Sequence, residues 1–332
     1  MRVLVAGGGG YVGSHAIRAL RQRGHEIVVY DNFATGHPEV LRDFRVVRGD
    51  IGDRTMLLPA LQGVDAVMHF AAFINVGESV ENPRKYFDNN VRRALNLLDT
   101  VMEAGIRRFL FSSTAAVYGN PVSVPIPESA ALQPVNSYGV TKLLLEQALQ
   151  AYDRAYGLRF AALRYFNAAG AHESGETGEW HDPETHLIPS ALMAVAGLRP
   201  ELQLFGDDYP TPDGTCVRDY IHVSDLADAH VLALEYLARE ERSVALNLGT
   251  GQGHSNREVL AMVEQVTGRT LPTKICTRRP GDPPSLVADP SQAQQLLAWK
   301  AKYQLREIVA SAWRWLQQIS NQLPKSAAES SV

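Results

Sequence analysis

Seven residues near the amino terminus constrain the fold more than any other part of the sequence. The segment Gly7–Gly13 reads GGGGYVG and directly follows an apolar stretch, Arg2–Ala6. Glycines permit positive φ angles and let the backbone approach a neighbour closely. Because the following segment, Val12–Arg23, has helical periodicity, we predict a strand, a tight glycine turn and a helix in that order.

Strand-like and helical segments alternate through the first half of the chain. The predicted strands are apolar almost throughout and are Arg2–Ala6, Glu26–Tyr30, Phe44–Val47, Ala66–Phe70, Arg108–Ser112 and Phe160–Arg164. The predicted helices include Val12–Arg23, Asn90–Ala104 and Ser137–Tyr156. Strands that are apolar on both faces predict a parallel sheet covered by helices on both sides. Right-handed crossovers then give an α/β fold with a doubly wound parallel sheet of the Rossmann type.

The character of the sequence changes after Asn167. Residues 168–183 are rich in Gly, His and Glu and lack periodicity, and later elements are short and separated by Pro/Gly clusters. We therefore expect a nucleotide-binding domain at 1–167 and a smaller α+β substrate lobe at 168–320, with part of 218–245 packing back on the first domain. Residues 321–332 are small and polar and are expected to form a flexible tail.

The glycine turn predicts a dinucleotide site. Gly7, Gly10 and Gly13 fit G-x-x-G-x-x-G, and a helix that starts on such a turn presents its N-terminus to a pyrophosphate. Asp31 ends the second predicted strand, where a carboxylate binds ribose hydroxyls and repels a 2′-phosphate, which favours NAD over NADP. The alternative is a tight turn that binds no ligand.

Asp50-Ile51 follows the third predicted strand and suits an adenine contact, although an Asp there is also a common helix cap.

Tyr138 and Lys142 are four residues apart in a helical segment and therefore share one face. Tyr and Lys at this spacing also occur on ordinary surface helices. Next to a dinucleotide site, however, a Tyr base activated by a nearby positive charge suits the oxidation of an alcohol. Ser112-Ser113-Thr114 follows the fifth strand, where such folds place ligands, so Thr114 is a candidate to hydrogen-bond the same hydroxyl.

Composition excludes several classes of partner. The net charge of −4 gives no reason to expect nucleic acid, and no apolar run approaches the roughly 20 residues that span a bilayer.

The two cysteines, Cys216 and Cys276, are expected to stay reduced. With no signal-peptide pattern at the start of the chain, we expect a cytoplasmic protein. No metal site is predicted.

Further strings make the resemblance to a known family specific. They are YVGSH (11–15), FDNNV (87–91), RYFN (164–167), PETHLIP (183–189), FGDDYPT (205–211) and RDYIHV (218–223). Together with the glycine turn, Thr114 and Tyr138-x-x-x-Lys142, they resemble the UDP-glucose (UDP-galactose) 4-epimerases, a family of the extended short-chain dehydrogenase/reductase superfamily. The likeness runs over residues 1 to about 300.

The resemblance implies a reaction, a cofactor and a site. NAD would stay bound through turnover. Tyr138, assisted by Lys142 and Thr114, would deprotonate the 4′-hydroxyl. The transient 4-keto sugar that results would then be reduced on its other face. The implied cofactor-binding residues are Gly7, Gly10, Tyr11, Val12, Gly13, Asp31, Asn32, Asp50, Ile51, Phe70, Ala71, Ala72, Asn90, Ser112, Tyr138, Lys142 and Tyr165. The implied UDP-sugar-binding residues are Thr114, Tyr138, Asn167, His186, Leu187, Gln203, Phe205, Arg218, Tyr220, Arg279 and Asp282. Without the resemblance, Asn90 would be interpreted as a helix N-terminal residue.

Two positions depart from the family pattern. Ile74 stands where a Lys is frequent, and Leu286 stands where the family has a tyrosine or a small residue near the sugar, which leaves the breadth of substrates open. Other UDP-sugars are therefore an alternative: UDP-N-acetylglucosamine, a UDP-pentose or a UDP-uronic acid. Ala115 and Ala116 after Thr114 disfavour a dehydratase or decarboxylase, and the intact Thr/Tyr/Lys set disfavours a non-catalytic NAD-binding protein. The family also implies a homodimer through the helices at 90–104 and 137–156.

Overall fold

A computed structural model of the protein describes residues 1–279 and 281–320. In chain order its strands are β1 Arg2–Ala6, β2 Glu26–Asp31, β3 Val46–Arg48, β4 Ala66–His69, β5 Arg108–Ser112, β6 Arg159–Tyr165, β7 Asn167–Ala169, β8 Leu202–Phe205, β9 Val217–Arg218, β10 Tyr220–His222, β11 Val244–Leu248, β12 His254–Ser255, β13 Thr273–Cys276 and β14 Ser285–Leu286. Its α-helices are α1 Tyr11–Gln22, α2 Arg54–Ala60, α3 Val76–Glu81, α4 Pro83–Phe87, α5 Ala94–Glu103, α6 Ser137–Tyr156, α7 Leu187–Val195, α8 Val223–Glu240, α9 Asn256–Thr267, α10 Ser291–Leu297 and α11 Leu305–Ile319.

Seven of these strands form one parallel sheet in the order β11-β6-β5-β4-β1-β2-β3. Ile17 of α1 and Leu234 of α8 pack in the core on one face, and Leu97 of α5 and Leu145 of α6 pack in the core on the other. The order of the strands reverses between β1 and β4, which is the topological switch point where doubly wound folds bind their ligands. The predicted fold class is therefore confirmed.

The remaining strands are short and belong to a smaller α+β region. β13 pairs with β8, and β9 lies between β12 and β14. The helices α7, α9 and α11 enclose an apolar core of their own, which includes Leu192, Val263 and Ile308. β11 and α8 lie with the large sheet although they come later in the chain than β8, so the chain crosses between the two regions more than once.

Two local predictions were wrong. β3 begins at Val46 and not at Phe44, because the Phe44 ring lies under the Arg21 guanidinium, 3.6 Å from its centre, and does not join the sheet. The predicted helix 90–104 is preceded by a π-helical turn, Asp88–Arg93, so Asn90 lies inside a continuous helical segment rather than at its N-terminus.

The tail predicted at 321–332 lies outside the described residues. Within the residues that are described, no helix has the length and apolar character needed to cross a bilayer. Cys216 and Cys276 are both free thiols.

Candidate active site

The glycine turn between β1 and α1 is shaped by close backbone contacts. Gly7 has φ +85°, and a Cβ on it would lie 2.4 Å from the Ala71 nitrogen. A Cβ on Gly13 would lie 2.3 Å from the Gly7 carbonyl oxygen. Gly10 is the N-cap of α1 and offers no side chain to cap the helix. The first turn of α1 therefore keeps backbone N–H groups for an outside acceptor, which fits a dinucleotide pyrophosphate.

Asp31 lies beside this turn at the end of β2. Its Oδ2 accepts from the Gly9 amide and its Oδ1 from the Phe33 amide, each at 2.8 Å. Burial raises the pKa of Asp31, although the two amide hydrogen bonds oppose that shift. The carboxylate is fixed at the position where ribose hydroxyls are bound in such folds.

Asp50 and Asn32 meet at the neighbouring strand ends. Asn32 Nδ2 donates to Asp50 Oδ2 at 2.9 Å, and Arg93 forms an ion pair with the same oxygen at 2.6 Å. The cap of α2 is Asp53 and not Asp50, so Asp50 is not serving as that helix cap. Ile51 is buried in the core next to it.

Asn90 organises the segment that follows β4. Its side chain accepts from the Phe73 amide at 3.0 Å and donates to the Phe73 carbonyl at 2.9 Å and to Thr141 at 3.3 Å. The Phe70 and Ala71 amides both donate to the Ala6 carbonyl, which fixes 70–72 at the switch point. Asn90 thus fixes the backbone at Phe73, which directly follows residues 70–72.

The Tyr138/Lys142 pair comes to the end of β5 as the sequence predicts. Both side chains are buried on α6, and Lys142 Nζ lies 5.8 Å from the centre of the Tyr138 ring. Lys142 Nζ donates to the Ser112 carbonyl at 2.7 Å, and Ser112 Oγ is 2.6 Å from the Tyr165 hydroxyl. Four residues from three elements, α6, β5 and β6, therefore converge on one strand end.

Burial controls the charge of this pair. It raises the pKa of Tyr138, and hydrogen bonding to Thr114 only partly opposes the shift. Burial also lowers the pKa of Lys142 to about 7, against the attraction of Glu146. In the chain alone, desolvation of the phenolate therefore keeps the pKa of Tyr138 above its usual value, although Lys142 lies close by.

A buried ion pair beneath the site was not predicted. Arg164 and Glu146 pair at 2.6 Å with both side chains almost fully buried, and Ser113 Oγ donates to Glu146 at 2.5 Å. Glu146 stands four residues after Lys142 and therefore on its helix face, a spacing that could have indicated it.

The predicted substrate residues come together in pairs. Asn167 and Tyr220 are register partners in β7 and β10. The Arg279 guanidinium lies 4.0 Å from the centre of the Phe205 ring, and Gln203 is two residues earlier on the same face of β8.

Two further predicted substrate residues form an ion pair. Arg218 pairs with Asp282 at 3.1 Å. His186 and Leu187 begin α7, where His186 is the N-cap residue.

Sequence reasoning missed three acidic or imidazole side chains around His186. Glu179, His181 and Glu184 direct their polar atoms to it, although no metal or charge cluster was predicted there. The spacing His-x-x-Glu-x-His at 181–186 is the signal that could have indicated the cluster.

Comparison with known proteins gives consistent matches over nearly the whole chain. The UDP-glucose 4-epimerase of Rhizobium leguminosarum bv. trifolii is 51% identical over 315 residues, which cover 94% of this chain and 96% of that one. The solved UDP-glucose 4-epimerase from Brucella ovis, in complex with NAD, is 50% identical with a TM-score of 0.92 and covers 94% of this chain and 97% of that chain. The solved enzyme from Stenotrophomonas maltophila, with bound NAD and formylated UDP-arabinopyranose, is 44% identical with a TM-score of 0.94 and covers 97% of this chain and all of that one (100%).

The sequence model of the NAD dependent epimerase/dehydratase family matches residues 3–249. The resemblance drawn from the motifs is thereby confirmed. The chain belongs to the NAD dependent epimerase/dehydratase family.

Proposed function

We propose that this chain is a UDP-glucose 4-epimerase that interconverts UDP-glucose and UDP-galactose with tightly bound NAD. The observation that carries the proposal is the convergence of Tyr138, Lys142 and Thr114 at the end of β5, beside the switch point that carries the glycine turn. The full-length identity to UDP-glucose 4-epimerases supports the substrate.

The cofactor would be held mainly by backbone. The first turn of α1 would bind the pyrophosphate, Asp31 the ribose hydroxyls, and the 70–72 segment would line the cleft. The cofactor held there would supply the hydride chemistry, which is acceptance of hydride from C4 of the sugar and its return to the opposite face.

Tyr138 would accept the proton of the 4-hydroxyl and later return it. A phenolate there needs a neighbouring positive charge, because burial alone raises the pKa of Tyr138. Lys142 is the charge that the chain itself supplies, and the Ser112 carbonyl holds its ammonium in place. Thr114 would hydrogen-bond the same hydroxyl and fix its orientation.

Epimerisation requires that UDP is held firmly while the sugar turns. Arg218 and Arg279 would bind the diphosphate, because a guanidinium fork matches phosphate oxygens. Asn167, Tyr220 and Phe205 would complete the nucleotide pocket, with His186 and Leu187 at the start of α7. Few charged groups would then be directed at the hexose.

A homodimer and a cytoplasmic location complete the proposal. Leu144 of α6 is 38% exposed and Tyr156 is 60% exposed, so the outer face of this helix carries apolar surface that a second copy would cover. A dimeric mass by light scattering at micromolar concentration would support this arrangement, and a monomeric mass would refute it. Two free thiols suit a reducing compartment.

The direct test of the activity is incubation of the purified protein with UDP-galactose and separation of the nucleotide sugars. UDP-glucose should accumulate to an equilibrium mixture, and the same mixture should form from UDP-glucose. Conversion of neither sugar would reject the proposal.

A further inference from the structure

A cluster of four potential metal ligands lies in the loop before α7. The side chains of Glu179, His181, Glu184 and His186 each direct one donor atom inward, and these atoms lie within 4.8 Å of one another. Both carboxylates are almost fully buried, at 5% and 4% side-chain exposure. Within the described part of the chain this is the one group of its kind.

The two contacts of His181 with the carboxylates are longer than ordinary hydrogen bonds. His181 Nδ1 lies 3.4 Å from an oxygen of Glu179 and 3.4 Å from an oxygen of Glu184. Good N–H···O hydrogen bonds are about 2.7–3.2 Å long, so this nitrogen is well bonded to neither carboxylate. Ligand atoms around a tetrahedral zinc ion with bonds of about 2.0–2.1 Å stand about 3.3 Å apart.

His186 approaches the same two carboxylates more closely. Its Nδ1 lies 2.7 Å from the same Glu179 oxygen and 3.1 Å from Glu184. Both rings therefore present Nδ1 to the same two carboxylates, and one donor atom from each of the four residues lies within 4.8 Å of the others. Nε2 of His186 stays free of this arrangement, so coordination through Nδ1 leaves one ring nitrogen for another ligand.

The backbone around the cluster is held in place independently of any ion. Trp315 Nε1 donates to the Glu179 carbonyl at 2.8 Å, and Trp180 stacks on His37 with ring centres 4.0 Å apart. The amides of Thr185 and His186 donate to Glu184 Oε1 at 2.7 and 2.8 Å. Such supporting contacts around the ligands are typical of metal sites.

We propose that Glu179, His181, Glu184 and His186 bind one divalent transition-metal ion, with zinc as the preferred ion. Two imidazoles and two carboxylates suit zinc, whereas magnesium prefers oxygen donors alone. Two carboxylates also neutralise a divalent ion when the imidazoles are neutral. The ion would tie the 179–186 loop to the start of α7 and to Tyr11 of the glycine turn, whose ring lies 6.2 Å from His181.

Zinc content tests the proposal without reference to activity. The full-length protein, with its cofactor, is treated with EDTA, incubated with zinc chloride, passed through gel filtration and analysed by inductively coupled plasma mass spectrometry. The parent should retain about one zinc per chain, and the double variant E179Q/H181A should retain less than about a tenth of that. The control is H172A, which removes a histidine of the same loop outside the cluster and should retain as much zinc as the parent.

Two outcomes would overturn the site. Either the parent retains no zinc after gel filtration, which would leave an ion-pair network only, or E179Q/H181A retains as much zinc as the parent. If the double variant does not elute as folded protein, the single variant H181Q replaces it. Cobalt gives a second readout. Intense visible bands of four-coordinate cobalt in the parent that are absent from the variant would support the site. Weak bands of six-coordinate cobalt in both proteins would contradict it. Since neither readout uses a UDP-sugar, failure here is distinguishable from failure of the proposed function.

Discussion

The residues proposed to bind the cofactor and those proposed to bind the substrate come from different parts of the chain. On the cofactor side, the ligand-facing groups are mainly backbone atoms of one turn, supported by one carboxylate, and Gly7, Gly13 and Asp31 lie within one βαβ unit. On the proposed substrate side, side chains from distant segments already engage one another, as Arg218 of β9 does with Asp282, which precedes β14. Recognition through backbone is encoded locally, whereas recognition through side chains depends on contacts between distant segments.

Removal of the Tyr138 hydroxyl should have the largest effect, because both sides of the cleft meet at this residue. Tyr138→Phe should fold, retain NAD and bind UDP, yet lose about 10²–10⁴-fold in kcat, the typical contribution of a general acid–base group. The measurement is steady-state UDP-galactose turnover together with the NAD content of the variant. Turnover within a few-fold of the parent would show that Tyr138 is not the base.

A methyl group on Gly13 tests whether the cofactor side depends on backbone shape. Because the added Cβ would lie 2.3 Å from the Gly7 carbonyl oxygen, the turn must shift, and NAD affinity should fall about 100-fold. Gly77→Ala is the matched control, since its Cβ would meet only the Asn75 side chain at 3.5 Å. UDP binding, measured by calorimetry, should be similar in both variants. Equal NAD content in G13A and the parent would contradict the claim that the shape of this turn determines NAD binding.

Arg218→Lys tests the substrate side in the same way. Lysine keeps the charge but loses the guanidinium fork, so the Kd for UDP should rise about 10–100-fold, the effect of losing a charge-assisted hydrogen bond. NAD content should not change. Arg239→Lys, an exposed residue that pairs with Glu240, is the control. A normal Kd for UDP in R218K would remove Arg218 from the diphosphate site.

The smallest effect is expected at Leu286, which should set sugar preference. Leu286 is the register partner of Arg218 and packs on the cluster that contains Val117 and Phe166, so it lies beside a residue of the proposed diphosphate site. Leu286→Ser should raise activity on UDP-N-acetylglucosamine relative to UDP-glucose by about 10-fold, because an acetamido group no longer meets a branched side chain. Leu286→Tyr should abolish the N-acetyl activity. If the ratio of N-acetyl to plain-sugar activity is unchanged in both variants, Leu286 does not determine sugar preference.

The sequence predicts the large sheet well because its strands carry their own signal. β1 and β5 begin and end where the apolar runs predict. β3 begins two residues later than predicted, because the Phe44–Arg21 contact is between segments and leaves no trace in local periodicity, and β11 was not among the predicted strands. The π-helical turn around Asn90 is similarly a product of packing.

In the candidate site, too, the features that the sequence predicts are the ones encoded by short local motifs. The glycine turn, Asp31 and Tyr138-x-x-x-Lys142 are visible as short motifs. The pairing of Glu146 in α6 with Arg164 in β6 and the convergence of Glu179 with His186 depend on tertiary packing, so spacing can indicate these residues but not their partners. The charge of the catalytic pair also could not be predicted, since it depends on how completely Tyr138 and Lys142 are buried.

The most direct test of the central claim is to follow the cofactor through turnover. Purified protein is gel-filtered exhaustively, assayed with UDP-galactose without added nucleotide, and then denatured so that the released cofactor can be measured. We predict undiminished turnover, no NADH in solution and about one NAD per chain in the supernatant. Release of mainly NADP, or turnover that requires added NAD and accumulates free NADH, would contradict the account.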